Sequence, residues 1–226
     1  MRRMCACGNI FLERTLVSRL KGLFSVAGKT ALITGGGSGI GGFMAQSLSE
    51  EGGTVLLVGR REDKLREVLG ARDGKIFVID LCEAGASERL FTMVTDCGYQ
   101  PDIIVNAAGI NPRVHADKID EEMWTYTVHL NLNVPFLVAQ KFVPGMKANG
   151  WGRIINIASM QSNRAFPNGI SYGSAKGGVT QLTRAMAEAW SAHGITANAI
   201  APGFFPTELT APLLDRKSTR LNSSHR

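Results

Sequence analysis

The sequence has no apolar run close to the about 20 residues that a membrane-spanning helix needs. It has only four cysteines, Cys5, Cys7, Cys82 and Cys97. That number and that scatter exclude a disulfide framework and favour a reducing compartment. The four histidines and the cysteines also lack the paired spacing of a zinc site, so we expect no bound metal.

Excess positive charge is missing from the body of the chain, although the formal net charge is +6. Residues 1–22 carry five basic side chains against one acidic, and residues 215–226 carry four against one. Residues 23–214 therefore sum to −1. We expect neither nucleic acid nor a membrane surface as a partner, because both attract a basic face.

What the sequence does contain is an alternation of short apolar runs with longer stretches of helical periodicity. The runs read as strands at 29–34, 54–58, 75–79, 102–106, 153–158 and 196–201, and the helical stretches lie at 39–51, 62–69, 84–97, 121–146 and 172–193. Continuous apolar strands joined by helices predict a parallel sheet covered on both faces. We therefore predict a single α/β domain over residues 23–214, a doubly wound parallel sheet of the Rossmann type.

A glycine-rich loop follows the first predicted strand and leads directly into a helix. It reads Thr34-Gly35-Gly36-Gly37-Ser38-Gly39-Ile40-Gly41. Glycines at this place allow a tight turn and let backbone N–H groups approach a pyrophosphate at the helix N-terminus. The loop predicts a dinucleotide site, and a mobile loop is the alternative.

The end of the second strand favours one dinucleotide over the other. A site for NAD commonly has an acidic residue there, which accepts hydrogen bonds from the ribose 2′-hydroxyl. This chain has Arg60 and Arg61, which can bind a 2′-phosphate through charge-assisted hydrogen bonds. We expect NADP as the preferred cofactor with NAD possible, unless the two arginines simply begin an exposed helix.

Tyr172 and Lys176 are four residues apart at the start of a predicted helix, so they share a face. A nearby ammonium stabilises a phenolate, and we therefore expect Lys176 to lower the pKa of Tyr172. An ordinary surface pair would have the same spacing. Ser159 ends the fifth strand, at the sheet edge where doubly wound folds bind ligands. Asn131 lies inside a predicted helix, where Asn is a poor helix former and a solvated polar position is the alternative.

In these features the chain resembles the short-chain dehydrogenase/reductase family. The resemblance extends over residues 28–210 and is carried by the glycine loop, Asp80-Leu81, Asn106-Ala107-Ala108-Gly109, Asn131, Ser159, Tyr172-Gly173-Ser174-Ala175-Lys176 and Pro202-Gly203-Phe204-Phe205-Pro206-Thr207. One departure is Ala107, where the family often has a second Asn.

The resemblance implies an oxidoreductase that interconverts a secondary alcohol and a ketone. It implies that Tyr172 exchanges the proton, that Ser159 binds the substrate oxygen, that Lys176 holds the ribose and that Asn131 supports a water chain. The cofactor-binding residues it implies are Gly35, Gly37, Ser38, Gly39, Ile40, Gly41, Arg60, Arg61, Asp80, Leu81, Asn106, Ala107, Ala108, Gly109, Tyr172, Lys176, Pro202, Gly203, Phe205 and Thr207. A cofactor-binding sensor or structural protein without catalysis is the alternative.

The loops expected around the substrate are polar. They supply Asn111, Arg113, Gln161, Asn163, Arg164 and Phe166. Two arginines suit a hydroxylated or acidic small molecule, such as a sugar acid, a polyol or a 3-oxoacyl group, although loop arginines also pair with neighbouring acids such as Asp117.

The two ends differ from the body. Residues 215–226 read as the translation of a sequencing adapter, so we expect an incomplete C-terminus that lacks the family's last helix and strand and leaves the sixth strand as an unprotected edge. Residues 1–22 are an extension of uncertain status, whose basic start leaves mitochondrial targeting open beside a cytoplasmic location. In a full-length parent we expect a homo-oligomer, a dimer or a tetramer.

Overall fold

The computed structural model describes residues 25–203. The expectations for the extension at 1–22, for residues 215–226, and for Phe205 and Thr207 lie outside these residues. Within them the chain forms six strands, which are β1 (Thr30–Thr34), β2 (Thr54–Gly59), β3 (Gly74–Val78), β4 (Ile103–Asn106), β5 (Gly152–Ile157) and β6 (Ile195–Ile200).

Six α-helical segments connect the strands. They are α1 (Gly39–Glu50), α2 (Glu62–Leu69), α3 (Ala86–Asp96), α4 (Glu121–Val128), α5 (Val134–Ala148) and α6 (Ile170–Trp190). Short 3₁₀ turns lie at Ala116–Lys118, Met160–Ser162 and Ser191–His193. Each predicted strand and helix is present, with its ends moved by at most three residues.

The sheet has the order β3-β2-β1-β4-β5-β6, and every neighbouring pair is parallel. The chain runs outward from β1 to β3 and then crosses to β4 on the other side of β1. The two halves of the sheet therefore diverge between β1 and β4, which is where a doubly wound sheet opens a crevice at the carboxyl ends of its strands. The predicted doubly wound fold is confirmed.

Two hydrophobic cores lie on opposite faces of the sheet, since neighbouring residues of a strand point to opposite sides. Leu32 belongs to the larger core, under α3, α5 and α6, where Phe142 is completely buried. Ile33 belongs to the smaller core, which α1 covers with Ala45 and α2 with Leu65. Strands buried on both faces explain the uninterrupted apolar runs in the sequence.

The helix expected over residues 121–146 is not uniform. Five residues, His129–Asn133, form a π-helical turn between α4 and α5. The side-chain amide of Asn131 donates hydrogen bonds to the carbonyl oxygens of Thr127, at 2.8 Å, and of Ile110, at 2.9 Å. The turn thus ties the helix to the loop after β4, and such single-turn bulges are often found at functional sites.

Strand β6 pairs with β5 on one side and lies at the edge of the sheet that residues 25–203 form. Its last residue, Ile200, is 45% exposed. No helix within residues 25–203 is both long enough and apolar enough to cross a membrane. The same part of the chain contains no group of three or more Cys, His, Asp or Glu side chains that could hold a metal ion.

Candidate active site

The carboxyl ends of three neighbouring strands bring the candidate residues together. The glycine loop leaves β1, the segment Asn106–Gly109 leaves β4, and Ser159 follows β5. The backbone joins the first two, because Ala107 N–H donates to the carbonyl oxygen of Thr34 at 3.2 Å. The sheet edge predicted to bind a ligand therefore carries its motifs side by side.

Tyr172 and Ser159 are joined by a hydrogen bond between their side chains. Tyr172 lies in the first turn of α6 and is 8% exposed. Burial raises the pKa of Tyr172 above its usual range, while the Ser159 hydroxyl and the charge of Arg113 act in the opposite direction. The pKa of Tyr172 is therefore raised, and not lowered as the sequence suggested, and Ser159 and Arg113 are groups that oppose the effect of burial.

Lys176 lies one helical turn after Tyr172 and is 4% exposed. Its ammonium donates to the carbonyl oxygen of Ile157 at 2.6 Å and lies 5.6 Å from the centroid of the Tyr172 ring. Burial lowers the pKa of Lys176 from 10.5 to about 8. A lysine in this state can hold or release a proton near neutral pH, because the low-dielectric surroundings disfavour its charged form.

Asn131 is fully buried beside Lys176. A Cβ atom added to Gly109 would lie 2.5 Å from Asn131 Oδ1 and 3.7 Å from Lys176 Nζ, so Gly109 lies against both side chains. Asn131 Oδ1 itself has no hydrogen-bond partner within the described residues. Buried oxygens are normally paired, and an orphaned one beside a buried ammonium is typical of a site that takes up water or a ligand.

The glycine loop is packed too tightly for any other residue at two positions. Gly35 has a φ of +68°, and a Cβ atom on it would lie 2.8 Å from the backbone of Ala108. A Cβ atom on Gly41 would overlap the carbonyl oxygen of Gly35. Both glycines keep the loop in contact with the end of β4, so that the N-terminus of α1 opens toward the crevice.

Ser38 is the N-cap residue of α1, yet its hydroxyl makes no capping hydrogen bond. It accepts a hydrogen bond from the Arg61 guanidinium at 3.1 Å. The Ser38 side chain thus leaves the first N–H groups of α1 to another acceptor and holds a cation beside them. This arrangement fits an anion such as a phosphate.

Arg60 points in a different direction from Arg61. Its guanidinium lies 3.4 Å from Asp80 Oδ2 and 3.1 Å from the hydroxyl of Tyr126, which lies on α4. The other oxygen of Asp80 accepts from the backbone N–H of Cys82 at 2.9 Å. The two arginines therefore lie at two separate places. Arg61 lies at the glycine loop, and Arg60 lies over Asp80.

Some predicted site residues do not present their side chains to the crevice. Asn106 is 2% exposed, and its amide donates to Asn156 Oδ1 at 2.8 Å and to the carbonyl oxygen of Pro135 at 3.2 Å. Leu81 is buried in the larger core. These two residues can meet a ligand through their backbone alone. Pro202 and Gly203 follow β6 at the same edge of the sheet.

Two residues with a place at this site, Tyr126 and Ser162, were not expected from the sequence, and Thr34 was expected only as the first residue of the glycine loop. Thr34 accepts from the backbone N–H of Ala108 at 3.2 Å and so holds the segment after β4. Tyr126 accepts a hydrogen bond from Arg60, which is 66 positions away, and no local sequence pattern predicts a contact over that distance. Ser162 donates to the carbonyl oxygen of Lys176 at 2.8 Å, and its spacing of three from Ser159 is the signature of a reciprocal cap.

Comparison with known proteins identifies the family of this chain. A family model described as short chain dehydrogenase matches residues 29–218. Gluconate 5-dehydrogenase of Gluconobacter oxydans is 34% identical over 198 residues, which cover 85% of this chain and 77% of that protein. 2-Dehydro-3-deoxy-D-gluconate 5-dehydrogenase of Bacillus subtilis is 36% identical over the same shares of the two chains.

Solved structures give the same result. The crystal structure of a gluconate 5-dehydrogenase from Burkholderia cenocepacia in complex with NADP and tartrate has a TM-score of 0.81 to this chain. It is 35% identical, and the match covers 87% of this chain and 79% of that one. The chain belongs to the short chain dehydrogenase family, as its motifs predicted. It is an NAD(P)-dependent oxidoreductase that interconverts alcohol and ketone groups, and the reading as a non-catalytic binding protein is not favoured.

Proposed function

We propose that this member of the short chain dehydrogenase family reduces the ketone of a polyhydroxylated acid reversibly, with NADP(H) as its preferred cofactor. The observation that carries the proposal is the hydrogen-bonded pair of Ser159 and buried Tyr172, with buried Lys176 one helical turn further on. The pair lies at the same sheet edge as the glycine loop, which follows β1. Residues 23–214 form the catalytic unit in this proposal.

The residues at the glycine loop fit an NADP molecule. The N-terminus of α1, which Ser38 leaves uncapped, suits the pyrophosphate, and the Arg61–Ser38 pair suits the 2′-phosphate. Arg60 and Asp80 lie where the adenine would follow, with the backbone of Leu81 beside them. The related gluconate 5-dehydrogenase from Burkholderia cenocepacia was solved with NADP, which supports the same choice here.

Each polar side chain then has a defined role in proton transfer. When bound, the nicotinamide supplies or accepts the hydride. Tyr172 donates its hydroxyl proton to the ketone oxygen during reduction and takes it back during oxidation. Ser159 donates a hydrogen bond to the same oxygen and stabilises the charge that develops there. Lys176 and the orphaned oxygen of Asn131 lie behind Tyr172, where they can pass a proton onward through water.

The substrate class follows from the groups that surround Tyr172. Arg113 is near enough to lower the pKa of Tyr172, and its backbone is held at a φ of +56°, an uncommon conformation for a non-glycine residue. Such strain is often found at ligand sites. The side-chain amide oxygens of Asn111 and Gln161 are buried, and neither has a hydrogen-bond partner within the described residues. A cation and unpaired acceptors together suit a carboxylate that carries hydroxyl groups, and two relatives act on gluconate compounds by their names.

The test is a substrate screen combined with one substitution. The chain should reduce 5-ketogluconate with NADPH faster than it reduces dihydroxyacetone or a 3-oxoacyl thioester. Tyr172→Phe should lower kcat by about a thousandfold, because the acid is lost while the hydrogen-bonded surroundings remain. Its affinity for NADPH, followed by nicotinamide fluorescence, should stay within about twofold, and Tyr99→Phe should leave both quantities unchanged.

Two results would count against the proposal. If Tyr172→Phe keeps its turnover, Tyr172 is not the general acid. A preference for the 3-oxoacyl thioester over the sugar acid removes the substrate class while leaving the reaction type in place.

We also propose a cytoplasmic location and a homo-oligomer. Cys82 and Cys97 are free thiols, which suits a reducing compartment. Trp124 and Ile170 line one surface groove and are 39% and 49% exposed, so they offer an apolar patch to a second copy of the chain. Sedimentation velocity distinguishes a dimer or tetramer from a monomer.

A further inference from the structure

The turn that carries Ser159 is attached to helix α6 through one side chain. Ser162 is the last residue of the turn Met160–Ser162. Its hydroxyl accepts from the backbone N–H of Ser159 at 3.3 Å and donates to the carbonyl oxygen of Lys176 at 2.8 Å. One hydroxyl thus links the backbone of the residue that binds the substrate oxygen to the helix that carries the proton donor.

The same turn also fixes the direction of the Ser159 hydroxyl. Ser159 Oγ accepts from the backbone N–H of Gln161 at 3.1 Å. With an acceptor position of the oxygen occupied, its proton is free to point to Tyr172 or to a substrate oxygen. Successive hydrogen bonds polarise one another, so the bond that Ser162 accepts and the bond that it donates strengthen together.

The turn lies directly against α6 at this place. A Cβ atom on Gly177 would lie 3.6 Å from the carbonyl oxygen of Ser162, and one on Gly173 would lie 3.7 Å from that of Gln161. Both distances are ordinary van der Waals contacts. The turn therefore lies against the helix at these two glycines, and the hydrogen bond of Ser162 is a side-chain link between turn and helix.

We infer that Ser162 is a positioning residue, which sets the distance and the angle between Ser159 and Tyr172 by joining the turn to the carbonyl group of Lys176. This inference rests on the proposed function, because it assumes that Ser159 and Tyr172 act on one substrate oxygen. Ser162 itself does not touch that oxygen. Its loss should misplace Ser159 without removing a reacting group, and small misplacements of this kind are costly in turnover.

The test compares two variants of equal size. Ser162→Thr keeps the hydroxyl, whereas Ser162→Val places a methyl group there. Ser162→Val should lower kcat about tenfold, with the affinity for NADPH unchanged, and Ser162→Thr should stay within about twofold of the parent. Equal kcat values for the Thr and Val variants would overturn the inference.

Thr180 supplies a matched control on the same acceptor. Its hydroxyl also donates to the carbonyl oxygen of Lys176, at 3.2 Å, but from within α6. Thr180→Val therefore removes a hydroxyl from that carbonyl without releasing the turn, and it should keep the parent kcat. If Thr180→Val lowers kcat as much as Ser162→Val does, the effect on kcat does not come from the link to the turn, and the inference is wrong.

A second measurement does not depend on turnover. The chain has three tyrosines, so subtracting the ultraviolet titration of Tyr172→Phe isolates Tyr172. Ser159 lowers the pKa of Tyr172 through its hydrogen bond, and displacing Ser159 should therefore raise that pKa in Ser162→Val and not in Thr180→Val. An unchanged titration in Ser162→Val overturns the inference. If instead Tyr172→Phe keeps its turnover, the proposed function fails, and this titration still decides the role of Ser162.

Discussion

The ammonium of Lys176 lies 2.6 Å from the carbonyl oxygen of Ile157, the last residue of β5, in surroundings that leave only 4% of the lysine exposed. A buried ammonium that has one carbonyl partner and no carboxylate hydrogen-bonded or ion-paired to it within residues 25–203 is expensive to keep charged. Burial of the Lys176 ammonium therefore lowers the free energy of unfolding of the chain.

Lys176→Met should stabilise the folded chain at neutral pH. The folded pKa of about 8 is below the ordinary 10.5, so the unfolded chain binds more protons between these values and the stability of the parent rises with pH across this window. The gain from Lys176→Met should be on the order of 3 kcal/mol below pH 8 and should vanish near pH 10.5. Urea unfolding from pH 7 to 10 measures this gain in the free energy of unfolding. Lys75→Met, at an exposed position of β3, is the control. A gain that does not depend on pH would contradict this account.

Arg61 should govern the choice between the two dinucleotides. Its guanidinium is held by Ser38 at the N-terminus of α1, whereas Arg60 is held by Asp80 and Tyr126. Arg61→Ala should weaken NADPH binding by about ten- to a hundredfold, the value of one or two charge-assisted hydrogen bonds, and leave NADH binding nearly unchanged. Arg60→Ala should change the ratio of the two affinities less. Isothermal titration with both cofactors measures this, and a larger change of the ratio for Arg60→Ala would reverse the assignment.

Gly41 and Gly42 are neighbours in α1 and should respond oppositely to alanine. A Cβ atom on Gly41 meets the backbone of Gly35, whereas one on Gly42 finds the Val68 side chain at an ordinary 3.4 Å. Gly41→Ala should cost about 1–3 kcal/mol and weaken cofactor binding, because the loop must move. Gly42→Ala should be neutral or stabilise by up to about 1 kcal/mol. Thermal unfolding with and without NADPH separates the effect on stability from the effect on cofactor binding. Equal losses of stability in the two variants would contradict the close contact between Gly41 and Gly35.

Asn156 should be the central residue of the buried polar network beneath the site. It accepts from Asn106 at 2.8 Å and donates to Thr183 Oγ1 at 2.9 Å, and so links β4, β5 and α6. Asn156→Ala should cost about 2–4 kcal/mol, since it leaves buried partners unpaired and opens a cavity. Asn198→Ala, on the neighbouring strand β6 at an exposed position, should stay within about 0.5 kcal/mol in urea unfolding. A loss of less than 1 kcal/mol for Asn156→Ala would mean that water replaces its partners.

The regular elements could be predicted from the sequence because their signals are local. The apolar run of β1 is buried on both faces in the structure, and the periodicity of residues 62–69 is that of α2. Tyr172 and Lys176 share a face because a helix places residues four apart together. The π-helical turn around Asn131 was not predicted, since it depends on hydrogen bonds to Thr127 and to Ile110, a residue 21 positions away.

The directions of polar side chains were the part that sequence reasoning could not supply. Asn106 stands in a motif at the cofactor edge, yet its amide turns into the core to meet Asn156, 50 residues later. Arg60 and Arg61 are adjacent and chemically identical, yet one meets Tyr126 and the other meets Ser38. These choices are made by partners that come close only after the sheet has formed.

The sequence by itself determined the doubly wound sheet, because hydrophobic periodicity is a local property of the chain. Its motifs predicted the glycine loop and the candidate set Asn131, Ser159, Tyr172 and Lys176. Only the tertiary structure decided that burial raises the pKa of Tyr172 while Ser159 and Arg113 oppose this effect, and that Ser162 links the turn after Ser159 to α6. The physical reason is that pKa values and hydrogen bonds depend on burial and on distances of a few ångströms, which long-range packing sets.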